Sequence, residues 1–517
     1  MYGDQSTQGG CGMDLLMGID MGTTHIKVAT FDLQGNLHTL EMSRTNTKSL
    51  GEGKAVYEPE EIWDSVVALL RRTAEQLAPC DRVLSISVAS MGEAGLLLDA
   101  EHRPLTPIFS WFDVRGKEPM EEWYRQISPE ECFAITGLNY NYIYSLFKLL
   151  WIKQNQPEVY GQAVKWLCMP DYIYFRLTGE FATDYSIASR TMLFDIRQRE
   201  WSQTLLDLAG IDRNLLPPAY QGGTVIGEVS REVCELTGLT GKISVAVGGH
   251  DHICGTLAAN VIEPGKVMNS SGTAETLNAV FTNLPPLSTD TFSGFNVGCH
   301  VVPGLYYLQG EIVSSGISVE WFLDKFCCAD DGTRMSYGEM ERRARLAPPG
   351  SQGLFFIPHL RGGSPPVPAP FSKGCFLGIR DYHTKDDFLR AIHEGLCCEV
   401  AGILKSMESV LGLEFQSIHA IGGGTKNELW MEIKSAAAAK PIEIPQVQES
   451  TLLGAALLGG VGAGVYSDHY KAARVTYRPS RVFQPEPELV EKCREITATY
   501  QRILPLAREI SSAISEG

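Results

Sequence analysis

No stretch of this 517-residue chain approaches the roughly 18 consecutive apolar residues that a membrane-spanning helix requires. Residues 1–13, MYGDQSTQGGCGM, have no basic segment and no sustained apolar core, so they read as a flexible tail and not a secretory signal. Positive charge is scarce. With 44 Lys and Arg against 61 Asp and Glu, the net charge is −17. So acidic a surface is a poor match for nucleic acid or an anionic membrane, which require basic faces. A local phosphate site built from backbone N–H groups stays open. The thirteen cysteines include no C-x-x-C, only the adjacent pairs Cys327-Cys328 and Cys397-Cys398 and scattered singles. Neither a metal site nor a disulfide framework is indicated, and buried thiols of a reducing, cytoplasmic compartment are expected.

What is present is an ordinary globular composition, 44% hydrophobic and 20% charged. The length exceeds what one hydrophobic core supports, so two domains are expected. Residues 15–19 read as a buried strand ending in Asp20. A turn with Gly22, Thr23 and Thr24 follows, then a second strand over 25–31 and a third from Leu37. A Gly-Thr-Thr tip offers N–H groups and hydroxyls without bulk, which suits a phosphate; an ordinary polar hairpin turn is the other reading. Helical spacing covers 60–78, and a strand over 82–88 leads to a loop holding Glu93, the usual place for ligands in α/β proteins. The next polar loop, Trp111 to Arg115, allows two readings: aromatics and Asp113 lining a polyol site, or an Asp113–Arg115 surface ion pair. Amphipathic helices are expected over 145–153 and 165–177.

Residues 243–247 read as a buried strand that breaks at Gly248-Gly249 and delivers His250, Asp251 and His252 beyond its end. A helix of small residues follows, so Asp251 is either a helix cap or a reactive carboxylate. Past Asn260 the opening pattern recurs: strand, Ser271-Gly272-Thr273, strand. Two similar halves are expected, with a boundary near 260. Residues 347–372 are Pro/Gly-rich and read as a long surface loop, and 386–411 as a helix. A strand over 417–421, the turn Gly422-Gly423-Gly424-Thr425 and a helix over 427–439 let backbone approach an anionic or flat ligand closely. The cluster Gly459 to Gly464 follows a helix and not a strand, so it reads as a helix C-cap and not as a dinucleotide fingerprint.

Assembled, these are parts of a nucleotide-dependent phosphotransferase without a G-x-x-x-x-G-K-[ST] loop or protein-kinase signatures. Five pieces in order, GIDMGTTHIKVATFD, VGGHDHICG, NSSGTAETL, GCFLGIRDYHTKDDFLRAIHEG and AIGGGTKNELWMEIKSAAAAKPIEIP, resemble the FGGY carbohydrate kinases. The resemblance runs from about Leu15 to about Tyr477, with His393 where an apolar residue is usual. It implies an α/β fold of two actin-like (ribonuclease H-like) ATPase domains with an interdomain cleft. Residues 14–259 would bind the sugar and carry the base; 260–517 would bind ATP. Asp251 matches the catalytic base and Asp20 the carboxylate that holds Mg²⁺. Gly22, Thr23, Thr24, His25 and Lys27 match one phosphate loop, and Gly272 and Thr273 the other. Gly423, Gly424 and Asn427 match the adenosine site, with Ser315, Gly316 and Glu320 in the neighbouring segment. Glu93, Asp113, Asp251 and His252 are the expected substrate contacts. Gly92 replaces the arginine that precedes the corresponding glutamate in glycerol kinase, and His252 stands where an amide is usual. The acceptor is therefore expected to be a ketopentose such as xylulose, or a related sugar or polyol, and the assembly a homodimer. A catalytically inactive sugar- or nucleotide-binding regulator is the alternative; a dehydrogenase would rest only on the misplaced glycine cluster.

Overall fold

The computed structural model describes residues 12–328, 332–363 and 365–515. Most of the expected N-terminal tail, residues 1–11, thus lies outside the described residues. β1 (Asp14–Met21), β2 (His25–Asp32) and β3 (Leu37–Arg44) form an antiparallel meander. β4 (Arg82–Ser90), β5 (Val225–Glu228) and β6 (Ser244–His250) extend it in the order β5-β6-β4-β1-β2-β3, with β6, β4 and β1 parallel. The second sheet comprises β7 (Lys266–Ser271), β8 (Glu275–Phe281), β9 (Asn296–Cys299), β10 (Tyr306–Ile312), β11 (Ser417–Ile421), β12 (Ile442–Pro445) and β13 (Pro479–Phe483). Its order is β9-β10-β8-β7-β11-β12-β13. Apart from the extra edge strand β9, this repeats the first sheet: a meander, two strands parallel to its first member, and an antiparallel edge.

The parallel strands are buried because helices cover them, which is why Leu15, Met17 and Ile19 in β1 read as one apolar run. Polar residues appear where such strands end. Asp20 lies near the end of β1, Glu93 follows β4 and Asp251 follows β6, while Gly272 and Gly423 follow β7 and β11. Ligands of open α/β sheets bind at these carboxyl ends.

α1 (Asp251–Ala258) begins directly at the end of β6. Gly248 and Gly249 belong to β6 and do not form a turn: a Cβ on Gly248 would lie 2.2 Å from the Val88 carbonyl oxygen, and one on Gly249 2.4 Å from Val301. α2 (Glu428–Ala438) follows the triple-glycine turn, and α3 (Ser450–Gly462) follows β12. Gly459 and Gly460 lie inside α3 and not past its end, and serve close packing. A Cβ on Gly459 would meet Ser85 Oγ at 2.7 Å, and one on Gly454 the Cys254 carbonyl oxygen at 1.9 Å. Gly18 in β1 likewise approaches Leu452 of α3. A helix from late in the chain is thereby seated on the first sheet and on the helix that carries Asp251.

Three expectations change. Lys165–Cys168 is a strand paired with Gly95–Leu98, and the helix begins only at Met169, where Pro170 favours a first turn. The 347–372 segment is not all surface loop, because Phe355–Ile357 is a strand with Phe356 and Ile357 buried. Not every thiol is buried: Cys80 and Cys328 are exposed. Among the described residues no helix is long and apolar enough to cross a membrane.

Candidate active site

The first hairpin tip is held tightly. Gly22 N–H donates to the His25 carbonyl (3.1 Å), and Thr45 Oγ donates to the Gly22 carbonyl (2.7 Å) while its N–H donates to that of Thr24. Thr24 and His25 are exposed, and Thr23 Oγ1 accepts from Trp111 Nε1 (3.1 Å). Lys27 lies opposite Asp20 in the β1–β2 register, and its Nζ is 2.7 Å from Glu449 Oε2, at the N-terminus of α3.

The second tip is built with the Ser315–Gly316 segment. Gly316 N–H donates to the Gly272 carbonyl and Ile317 N–H to that of Thr273. A Cβ on Gly316 would lie 2.3 Å from the Gly272 oxygen, so glycine is required for this approach. Beneath the tip, fully buried Lys434 pairs with Glu275 and donates to Asn269 and Ser271 (2.8 Å each), while Ser315 Oγ donates to Glu275 (2.8 Å). Sequence reasoning missed this network, because Lys434 and Glu275 are 159 residues apart.

The triple-glycine turn touches the same tip. Gly422, at φ +89°, and Gly424 would each place a Cβ within 2.7 Å of Ser271, whereas Gly423 faces open space. Asn427 caps α2 by accepting from Trp430 N–H (3.0 Å), and its Nδ2 lies 3.0 Å from His393 Nε2. His393 Nδ1 is 2.7 Å from the Leu389 carbonyl, so the imidazole donates there and accepts from Asn427. The unusual His393 thus supports the glycine turn. Glu320 pairs with Arg334 (2.5 Å). A cavity of about 320 Å³ runs between the two halves, lined by Asp20, Lys27, Gly422, Gly423, Glu449 and Thr451.

Asp251 lies near enough to Asp20, which lines this cavity, for its charge to act on that carboxyl. Asp251 Oδ1 accepts from His252 N–H (2.6 Å). Burial alone would raise its pKa, but His252, His250, this N–H and Arg190 outweigh burial and hold it below the usual carboxylate value. Asp20 goes the opposite way: burial, then the Asp251 charge, push it up to about 7 against the pull of Lys27. Glu93 is buried, at φ +62°, and forms an ion pair with buried Arg190 at 2.5 Å. Arg190 Nη1 also reaches Gln309 Oε1 of β10 (3.2 Å), joining the Glu93 loop to the second sheet. Sequence reasoning missed Arg190 as well; it follows a short helix with no motif around it.

Asp113 fits the ion-pair reading and not the polyol one. Its oxygens accept from Arg115 N–H, Nε and Nη2 and from Ala55 N–H, all at 2.7–2.9 Å. The pair is buried, not at the surface, and pins the loop that presents Trp111.

The duplicated sheets, with glycine-rich tips and a strand-end carboxylate facing one cleft, define a two-domain actin-like phosphotransferase scaffold. Sequence models of the FGGY family of carbohydrate kinases match residues 15–258 (N-terminal domain) and 267–463 (C-terminal domain). The chain belongs to the FGGY family of carbohydrate kinases and is a sugar kinase by family. It is 27% identical over 512 residues to the xylulose kinase of Lactococcus lactis subsp. lactis, covering 98% of this chain and 99% of that one. Over 507 residues it is 28% identical to an autoinducer-2 kinase of Escherichia coli, covering 94% and 93%. The ligand-bound xylulose kinase structure from Lactobacillus acidophilus superimposes with a TM-score of 0.86 over 97% of this chain and 99% of its own, at 24% identity.

Proposed function

We propose that the protein transfers the γ-phosphoryl group of ATP, carried with Mg²⁺, to a hydroxyl of a small sugar or polyol, with Asp251 as general base. The observation that carries this reading is Asp251 itself. It follows the end of β6, and its charge reaches Asp20, which lines the cavity with Lys27 and the triple-glycine turn. A sugar hydroxyl is a weak nucleophile near neutral pH. Asp251 takes its proton as the new O–P bond forms, the bond from the γ-phosphorus to the bridging oxygen breaks, and ADP leaves. N–H groups around Gly22, Thr23, Thr24, His25, Gly272 and Thr273 embrace the phosphates, and Lys27 adds a positive charge. Gly423 and Gly424, with Ser315 and Gly316, flank the adenosine. Asn427 and Glu320 act on the shape of that wall, since their side chains are already engaged.

Asp20 would hold the Mg²⁺. The raised pKa of Asp20 marks a carboxylate short of positive charge, a deficit that a cation relieves. Among the described residues no three His, Cys, Asp or Glu side chains cluster as a metal cage. That suits an ion that arrives with the nucleotide and keeps several waters. When bound, Mg²⁺ neutralises charge on the triphosphate.

Glu93 and His252 are the proposed contacts to the acceptor. Relatives named xylulose kinase make a ketopentose the first candidate, and the autoinducer-2 kinase relative supplies a second. The test is ADP release from ATP and MgCl₂ with D-xylulose, other ketopentoses, glycerol, gluconate and autoinducer-2. Saturable release with one acceptor is expected. Acceptor binding in calorimetry with no ADP release from any of them would favour the inactive regulator instead.

A further inference from the structure

His250 has no part in the reaction as described so far, yet the fold fixes it closely. Its N–H donates to Ser186 Oγ (2.8 Å), which donates in turn to buried Asp184, and the residue pairs with Ser90 in the β6–β4 register. The ring fills the space beside Gly92, where a Cβ would come within 3.1 Å of its Cδ2. Only 6% of His250 is exposed. Its Nδ1 is buried with no hydrogen-bond partner and lies 3.3 Å from Asp251 Oδ1. That oxygen already accepts from His252 N–H at 2.6 Å. Oδ1 thus has one donor and an unpartnered imidazole nitrogen within reach, while among the described residues none donates to Oδ2.

We propose that His250 is a positioning residue for phosphoryl transfer: its Nδ1–H holds Oδ1 of Asp251 so that Oδ2 meets the acceptor hydroxyl. This role rests on the kinase reading above. Catalytic hydrogen bonds are often long outside the reacting complex, and a 3.3 Å separation keeps this one within reach. An imidazole with its proton on Nδ1 supplies one N–H, which is all this contact needs. The glycine at 92 follows as well, since any side chain there would press on this ring.

The test uses His250→Asn and His250→Gln. The Asn amide nitrogen takes the place of Nδ1, whereas the Gln amide reaches only the place of Nε2. With D-xylulose, or the best acceptor of the panel, H250N is expected to keep kcat within about threefold. H250Q is expected to lose about tenfold or more. KM for acceptor and ATP should change less than about twofold in both. Equal losses in the two variants, with or without a lowered melting temperature, would overturn the proposal, as would a change confined to KM. A wild-type protein silent with every acceptor would instead sink the kinase reading on which it rests.

Discussion

Asp251 differs from the other aspartates around it in the direction of its proton affinity. Burial leads Asp171 and Asp184 upward, the latter to about 7, and Asp20 upward to about 7 as well. Asp251 is partly exposed, and against burial it is held down by His252, His250, an N–H and Arg190. At neutral pH it is therefore the strand-end aspartate ready to accept a proton. Asp251→Asn keeps the shape and removes the basicity. Its kcat is expected to fall on the order of 10²–10⁴-fold, with binding of a non-hydrolysable ATP analogue nearly unchanged by calorimetry. Near-normal turnover would remove Asp251 from the mechanism. Its place at the end of a buried strand was legible in the sequence, which left open a helix cap or a reactive carboxylate. Arg190 was not: it reaches Glu93 across 97 residues, and no local pattern announces that meeting.

At the scale of elements, the hairpins, the parallel strands and the glycine turn could be read from alternation and punctuation alone. Two misreadings share a cause. Lys165–Cys168 and Gly248-Gly249 are shaped by partners elsewhere in the sheet, and neither alternation nor glycine count reports those partners. The end of β6 is anchored by such a partner. Asp184 Oδ1 accepts from Ser186 and Ile187 N–H and from Ser186 Oγ, while its Oδ2 is buried without a donor. Burial holds this carboxyl up at about 7 although those hydrogen bonds oppose it. An acid whose folded pKa exceeds its unfolded value of 3.8 costs nothing below pH 4, and its penalty grows as pH rises to 7. Asp184→Asn keeps the acceptor and cannot ionise. Thermal unfolding should show the variant gaining on wild type between pH 5 and pH 8, by on the order of 2–3 kcal/mol. A constant difference across that range would mean that Asp184 is ionised in the folded protein.

At the scale of the whole molecule, the two halves meet through α3 and through polar links that cross the cleft. Arg190–Gln309 joins them beside Glu93 and Lys27–Glu449 at the N-terminus of α3. The second link has a consequence for function. On the proposed reading Lys27 serves the first phosphate loop, and Glu449 pairs with the charge that a triphosphate would use. Glu449 also adds to the negative field that raises Asp20. With both partners about a quarter exposed, the ion pair itself is worth no more than about 1 kcal/mol and is screened by salt. Glu449→Gln should therefore free Lys27 and tighten Mg-ATP binding about two- to fivefold at low ionic strength. The gain should shrink as salt is raised, and calorimetry at two salt concentrations reads both effects. If the variant binds Mg-ATP more weakly, the carboxylate serves the nucleotide's cation, and Lys27–Glu449 is not a competitor that ATP displaces.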